Sequence, residues 1–327
     1  MITTDTVTQF EARFGPTSRA VSRLIRPQIV APEGYKIVWG DWSAIEARVL
    51  PWLANTKAAD RVLDVFRTND ADPSLPDIYM VEAAGIYDMP IADVTKKGPE
   101  RPVGKVAILA LGFGGSEGAL TAMATGYGLH LEEDFKKMVV SRWRANNQWA
   151  VDFWGELMRA FQKAWDNPGE IQSVGRVSYV YLPSILRGCM FCYLPDGRAI
   201  AYPALRREMV KFEDEETGEE MKEMKIRYTS GYERKSLWHG TLAENITQGT
   251  AGSLLRHTLV QLEKRDWSWA KTILHTHDEI GQLVPERYAD EAETRLKLAM
   301  ESLPEWAEGL PMVAETTQHD YYTKIGD

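Results

Sequence analysis

The stretch GYKIVWGDWSAIEARVLPWLA, residues 34–54, changes its apolar period partway along. Residues 35–39 suit a short buried strand, whereas from Ser43 onward Ile45, Val49 and Leu53 recur at the spacing of one helix face. A strand that runs straight into a helix calls for a layered fold in which a sheet carries helices. Asp41 falls at the C-terminal end of that strand, at the junction, and Pro51 is expected to kink the helix that follows.

The rest of the chain alternates in the same way. From about residue 77 to residue 167 the pattern is helical, with Phe135, Met138, Val139 and Trp143, then Trp149, Phe153, Leu157 and Phe161, recurring at three and four. Such a tryptophan stripe reads first as core. Residues 173–202 favour strands with a turn at Pro195-Asp196-Gly197, and residues 237–262 are helical again. Residues 272–274 and 280–284 form two short apolar strands, a hairpin that presents His277, Asp278 and Glu279 near its turn, and an amphipathic helix follows over 288–303.

Composition bounds what these elements can be. With 327 residues, 44% apolar and 26% charged, the chain is long enough for two domains with real cores, which excludes a disordered tail, a collagen-like rod or a disulfide-stapled mini-protein. No window reaches the roughly 18 consecutive apolar residues of a membrane span, and the opening MITTDTVTQFEARFG lacks the apolar core of a secretory signal, so a soluble, cytoplasmic protein is expected. Cys189 and Cys192 form a lone C-x-x-C, read as two buried thiols. A formal charge of −9 argues against nucleic-acid binding by bulk positive charge, though not against a basic cleft in an acidic body. Four arginines lie between Arg13 and Arg26, and the acidic run FEDEETGEEMKEM, residues 212–224, reads as a solvated hairpin tip between strands at 207–211 and 225–228.

Two aspartates stand where strands end beside apolar supports, Asp41 in WGDWS and Asp278 in THDEI. Mg²⁺ prefers oxygen ligands and is commonly bound by one or two carboxylates together with substrate phosphates. Two such carboxylates on one sheet suit in-line phosphoryl displacement; strand-end aspartates also serve as turn and cap residues. In ERPVGKVAILALGFGGSEGAL, read as a helix, Arg101, Lys105, Leu109 and Phe113 fall four apart on one stripe. Arginine and lysine there can neutralise a triphosphate, and a phenyl ring can stack on a base. Gly104, Gly112, Gly114 and Gly115 cost about 1 kcal/mol each in a helix, which points to something approaching the backbone closely.

Taken in order, GDWSAIEARVL, RPVGKVAILALGFGG and HTHDEI resemble motifs A, B and C of the family A DNA polymerases, the DNA polymerase I type, in the form of the phage and prophage branch. ENITQGTA, residues 244–251, resembles the helix that precedes motif C, and the four landmarks extend from about residue 29 to the C-terminus. The resemblance implies an α/β (α+β) fold: an antiparallel-sheet palm backed by helices, with an inserted helical fingers subdomain. It divides the chain into a leader (1–28), palm (29–75), fingers (76–172) and palm again (173–327).

It also implies site residues. Asp41 and Asp278 would hold two Mg²⁺ ions, with Mn²⁺ as a substitute, the backbone oxygen of Trp42 would touch metal, and Glu279 would be an acidic neighbour. Glu46 would crowd the sugar 2′ position, and Arg101 and Lys105 would hold the incoming triphosphate. Phe113 would pack beside the nascent pair, with Leu109 next to the sugar and Tyr79 by the phosphates. Gln248, His277 and Asn245 would lie near the primer terminus and minor groove. Leu109 departs from the family's usual phenylalanine or tyrosine, Tyr79 stands where many relatives place histidine, and Glu244 where asparagine is common, with Asn245 adjacent.

The implied partners are primer–template DNA and deoxynucleoside triphosphates, in viral DNA replication within a host cytoplasm. Fewer than 30 residues precede the motif A strand region, which leaves an exonuclease, a full thumb or a processivity factor to be expected on another polypeptide, or the duplex to be gripped differently. Three rival readings stand beside this one. A single-subunit RNA polymerase shares the chemistry, but Glu46 would collide with a ribose hydroxyl. A metal-dependent hydrolase would use His275, His277 and Asp278. A catalytically silent, polymerase-like DNA-binding subunit would need no acids at both strand ends.

Overall fold

The structure is a computed structural model that describes residues 4–15, 21, 24–213, 220–263 and 267–323. Helix α1 (Thr4–Phe14) precedes strand β1 (Tyr35–Trp42), and a helical run follows: α2 (Ile45–Ala54), α3 (Lys57–Ala71), α4 (Ile78–Tyr87), α5 (Glu100–Leu111), α6 (Glu117–Gly126), α7 (Glu133–Asn146) and α8 (Gln148–Asp166). Strands β2 (Gln172–Val174), β3 (Val177–Leu182), β4 (Cys189–Tyr193), β5 (Ala199–Tyr202), β6 (Arg206–Glu213), β7 (Glu220–Ser230) and β8 (Glu233–Leu237) come next. Then come α9 (His239–Glu263), β9 (Lys271–Thr276), β10 (Glu279–Pro285), α10 (Ala289–Glu301) and β11 (Ala314–His319). The expected mixed architecture, antiparallel strands with an inserted run of helices, is therefore what the chain forms.

The chain divides into two compact units. The first comprises Met1–Ser43, Leu254–Pro304 and Met312–Asp327. Its sheet has the order β11-β1-β10-β9, antiparallel throughout. Strand β1 alternates between two buried environments, as a central strand should. On one face α10 packs so closely that a Cβ on Gly40 would come within 2.6 Å of Met300 Sδ, and Trp42 Nε1 donates to the Met300 carbonyl at 2.9 Å. On the other, Ile37 and Trp39 form a core cluster with Tyr322, whose ring meets Trp39 edge to face at 5.5 Å.

The second unit comprises Ala44–Ser253 and Glu305–Pro311. It holds α2 to α8 and two further antiparallel sheets, β2-β3-β4-β5 and β6-β7-β8. Helix α8 earns its place by amphipathicity: Ala150, Phe153, Trp154, Leu157, Phe161 and Ala164 form its buried face, against β2 and β3. Arg48 is buried in a two-pronged ion pair with Asp70, Nη1 to Oδ2 at 2.5 Å and Nη2 to Oδ1 at 2.8 Å. Cys189 and Cys192 are buried free thiols in β4, and burial pushes Cys192 up to about 12, so it stays an unreactive thiol.

Several local expectations need adjusting. Strand β1 runs to Trp42 and not Trp39, because pairing with β11 continues to Trp42 opposite Ala314, which keeps Asp41 at the strand's C-terminal end. Helix α2 starts at Ile45 and not Ser43, after Ala44 turns through a left-handed φ of 52°. It ends soon after Pro51, where Asn55 at φ 55° bonds back to the Pro51 carbonyl. The stripe expected to reach Phe113 is cut short: α5 stops at Leu111, and Gly114 at φ 78° turns the chain, so Phe113 sits in the turn. The close approach that Gly104 allows is made by the chain itself, since a Cβ there would overlap the Tyr79 carbonyl of α4. Strands β6 and β7 run into the acidic segment expected to be a tip and take up residues 212–213 and 220–224, while 214–219 lies outside the described residues, as do Arg19 and Arg23 of the arginine-bearing leader. No helix among the described residues is long and apolar enough to cross a membrane.

Candidate active site

Asp41 sits at the seventh position of β1, directly opposite Glu279 on β10 and Glu315 on β11. Residues directly opposite across a sheet point to one face, so three carboxylates form a row there, and like charges so placed repel. Strands β9 and β10 are joined by His277 and Asp278, with His277 at a left-handed φ of 57°. A non-glycine residue in that conformation is uncommon and clusters at functional sites. The turn brings Asp278 within hydrogen-bonding reach of Asp41, and the His277 ring nitrogen Nδ1 lies 3.1 Å from Asp278 Oδ1.

Electrostatically this pair is compensated only in part, by the Arg26 guanidinium, which feels the charge of Asp41 while bonded to Glu279. Burial first, then the charge of Asp278 and the hydrogen bond to it, then Glu279 and Glu315, push Asp41 up to about 7. Asp41 Oδ1 is buried and finds no hydrogen-bond donor among the described residues. A buried carboxylate oxygen without a donor beside a second carboxylate is what a divalent cation would satisfy, so the residues fit such an ion. Among the described residues no group of three or more His, Cys, Asp or Glu side chains could hold a metal by itself. A cation here would therefore take its remaining oxygens from outside those side chains, and His275, His277 and Asp278 of the hydrolase reading do not gather into such a group among the described residues.

Glu279, in contrast, is engaged on both oxygens. Arg26 Nη1 donates to Oε1 at 2.7 Å, and the Tyr322 hydroxyl donates to Oε2. Arg26 also lies over the Tyr322 ring, 4.9 Å from its centre. In the sequence Arg26 is only one of the leader arginines and Tyr322 carries no signal, whereas strand alternation in AETTQH is the signal for Glu315.

In the second unit, α5 carries the cations, and α4 with its cap carries their partners. Asp77 caps α4, accepting from Met80 N at 2.9 Å, and its Oδ2 takes both Nε and Nη2 of Arg101 at 2.8 Å. The Arg101 guanidinium lies 5.2 Å from the Tyr79 ring centre. Lys105 Nζ lies between two rings, 5.6 Å from Tyr79 and 5.2 Å from Tyr127. Burial pushes the Tyr79 phenol up to about 12, so it keeps its proton and can donate.

Gln248 Nε2 donates to Glu46 Oε1 at 3.1 Å, and Asn245 Nδ2 donates to the Tyr202 hydroxyl at 3.2 Å, so these three expected residues are tied to structure of their own unit. Leu109, Phe113 and Glu46 line a cavity of about 190 Å³, together with Glu82 and Trp143. Burial pushes Glu82 up to about 7 against the opposing effect of the Asn147 amide, which donates to it at 2.9 Å.

Comparison with known proteins agrees along the chain. The DNA polymerase of Bacillus phage SP02 is 34% identical over 315 residues, which is 96% of this chain and 45% of that protein. DNA polymerase I of Pseudomonas aeruginosa is 35% identical over 99 residues, 30% of this chain and 10% of that protein. The chain thus spans less than half the length of these curated relatives. Among solved structures, the POL domain of Pol1 from M. smegmatis, in complex with DNA primer-template and dNTP, shares the fold at a TM-score of 0.56 and 17% identity. That match covers 94% of this chain and 44% of that one. No family model matches.

Proposed function

Starting from a chain that belongs with the DNA polymerases of the polymerase I type, we propose that it adds deoxynucleotides to a primer 3′-hydroxyl on a DNA template by two-metal phosphoryl transfer. The observation that carries this reading is the Asp41–Asp278 pair, two carboxylates from distant parts of the sequence held so close that Asp278 pushes the Asp41 carboxyl up. Asp41, Asp278 and the main-chain oxygen of Trp42 are the groups that would hold Mg²⁺, or Mn²⁺ in its place. When bound, the ions supply activation of the primer hydroxyl and neutralisation of the departing pyrophosphate.

The other residues do the binding and sorting. Lys105 and Arg101 bind the triphosphate and stabilise the charge that develops on it, and the Tyr79 hydroxyl donates to a phosphate oxygen. Glu46, oriented by Gln248, fills the space a ribose 2′-hydroxyl would need. Leu109 lies along the sugar and Phe113 beside the templating base. Gln248, Asn245 and His277 contact the primer end and the minor groove. Residues 76–172 act as fingers, and 29–75 with 173–327 as palm, after a leader over 1–28. The partners are primer–template DNA and deoxynucleoside triphosphates. The setting is viral replication in a host cytoplasm, with any separate thumb, exonuclease or processivity subunit detectable as a factor that raises extension.

The purified chain, given a labelled primer–template, Mg²⁺ and either deoxy- or ribonucleoside triphosphates, is expected to extend the primer in template order with deoxynucleotides. Template-ordered extension with ribonucleotides would favour an RNA polymerase, and DNA binding without incorporation of either would favour a silent subunit.

A further inference from the structure

In the carboxylate row of the first unit, Glu279 is treated differently from Asp41. The two residues are directly opposite on β1 and β10, so their side chains rise from one face with Cβ atoms about 4.5–5.5 Å apart. A glutamate at that distance, with one methylene more than aspartate, reaches the space in front of Asp41. Both of its oxygens are instead held, by Arg26 at 2.7 Å and by the Tyr322 hydroxyl.

The two holders are fixed by several independent contacts. Tyr322 rests edge-on against buried Trp39, and its backbone N–H donates to the Ile29 carbonyl at 2.9 Å. Val30 pairs with Tyr321, and Ala31 N–H donates to the Asp320 carbonyl at 2.7 Å, so the segments that carry Arg26 and Tyr322 are stitched together beside the sheet. Arg26 stacks on the Tyr322 ring that it shares a carboxylate with.

We propose that Arg26 and Tyr322 are positioning residues that hold Glu279 out of the cation site, leaving Asp41 and Asp278 as the carboxylates that face the metal. This rests on the cation reading of that pair. A third free carboxylate would bind an ion more tightly and draw it away from the position set by the two aspartates. Cation sites are tuned by the number of charged ligands and by their rigidity, and the clamp withholds Glu279 from that number.

Mn²⁺ binding to the purified chain, measured by calorimetry without nucleotide or DNA, tests this apart from activity. Tyr322→Phe removes one hydroxyl and no charge; it is expected to tighten Mn²⁺ binding by roughly tenfold, about 1.4 kcal/mol, while slowing primer extension. Arg26→Gln should do the same, and Arg26→Gln combined with Glu279→Gln should return Mn²⁺ affinity to the wild-type value. Melting curves identify variants that fold, and should Arg26→Gln fail to fold, Tyr322→Phe alone carries the test. Affinity unchanged within twofold in a folded Tyr322→Phe protein, or weakened, overturns the clamp. Mn²⁺ binding that survives Asp41→Asn combined with Asp278→Asn overturns the cation reading beneath it instead.

Discussion

The carboxylates of β1 and the β9–β10 turn and the cations of α5 are both concentrated charge, yet the protein treats them in opposite ways. Asp41 and Asp278 stand together, and Asp41 keeps a buried oxygen that no described donor satisfies. Arg101 and Lys105 are already held: the guanidinium by Asp77 and the Tyr79 ring, the ammonium between Tyr79 and Tyr127. The difference teaches which partner each site lacks. The acids are strained until a cation arrives, whereas the basic groups are pre-organised and can meet a triphosphate with little rearrangement.

The comparison breaks most visibly at Lys105. Lys105→Ala should cut kcat/KM for nucleotide incorporation by about 10² or more, the size expected for loss of one electrostatic stabiliser, with the melting temperature little changed. A loss under threefold in single-nucleotide incorporation would remove the lysine from the triphosphate.

Asp77→Asn sharpens the idea that the cations are pre-organised. Asparagine keeps the cap on α4 but removes the ion pair with Arg101. The KM for nucleotide should rise about tenfold, about 1.4 kcal/mol, with kcat nearly unchanged. A fall in KM would mean instead that Asp77 competes with the triphosphate for Arg101.

The strain at the acids has a pH signature. The Asp41 carboxyl sits at about 7 in the folded protein against 3.8 for a free aspartate, so the folded state binds the extra proton between those values. Its contribution is most favourable below about 4 and is lost as pH rises through 7. Metal-free protein should therefore melt several degrees lower at pH 8 than at pH 5, Asp41→Asn should flatten that slope, and Mg²⁺ should raise the pH 8 value. A slope identical in Asp41→Asn would place the strain elsewhere.

Glu82 supplies the smaller, metal-independent counterpart in the second unit. Its carboxyl sits at about 7 against 4.5 free, so the same sign holds over that window, and Glu82→Gln should remove at most about 3 kcal/mol of pH-dependent destabilisation. Denaturant unfolding at pH 5 and pH 8 measures it, and an unchanged difference between the two would show that Glu82 stays ionised.

Much of this was legible because it is local. The change from a short apolar run before Asp41 to a helical period after it, and the polar turn between two apolar runs at His277–Asp278, mark the strand, the helix and the hairpin directly. The four-residue spacing of Arg101, Lys105 and Leu109 placed them on α5. What escaped was set by contacts between distant residues. Arg26 reaches Glu279 across 253 positions and Tyr322 reaches it across 43, and no period or turn rule encodes such a meeting. The close approach expected at Gly104 is present, but its partner, the Tyr79 carbonyl of the neighbouring helix, is likewise a contact that no local rule names. Phe113 was lost to a backbone effect, the glycine-rich turn that ends α5 two residues early.

Primer extension by Asp41→Ala and Asp278→Ala, each compared with wild-type chain at saturating Mg²⁺ and nucleotide, tests the account most directly. Both variants are expected to fold, to bind primer–template, and to incorporate no measurable nucleotide. Extension at the wild-type rate by either one would contradict it.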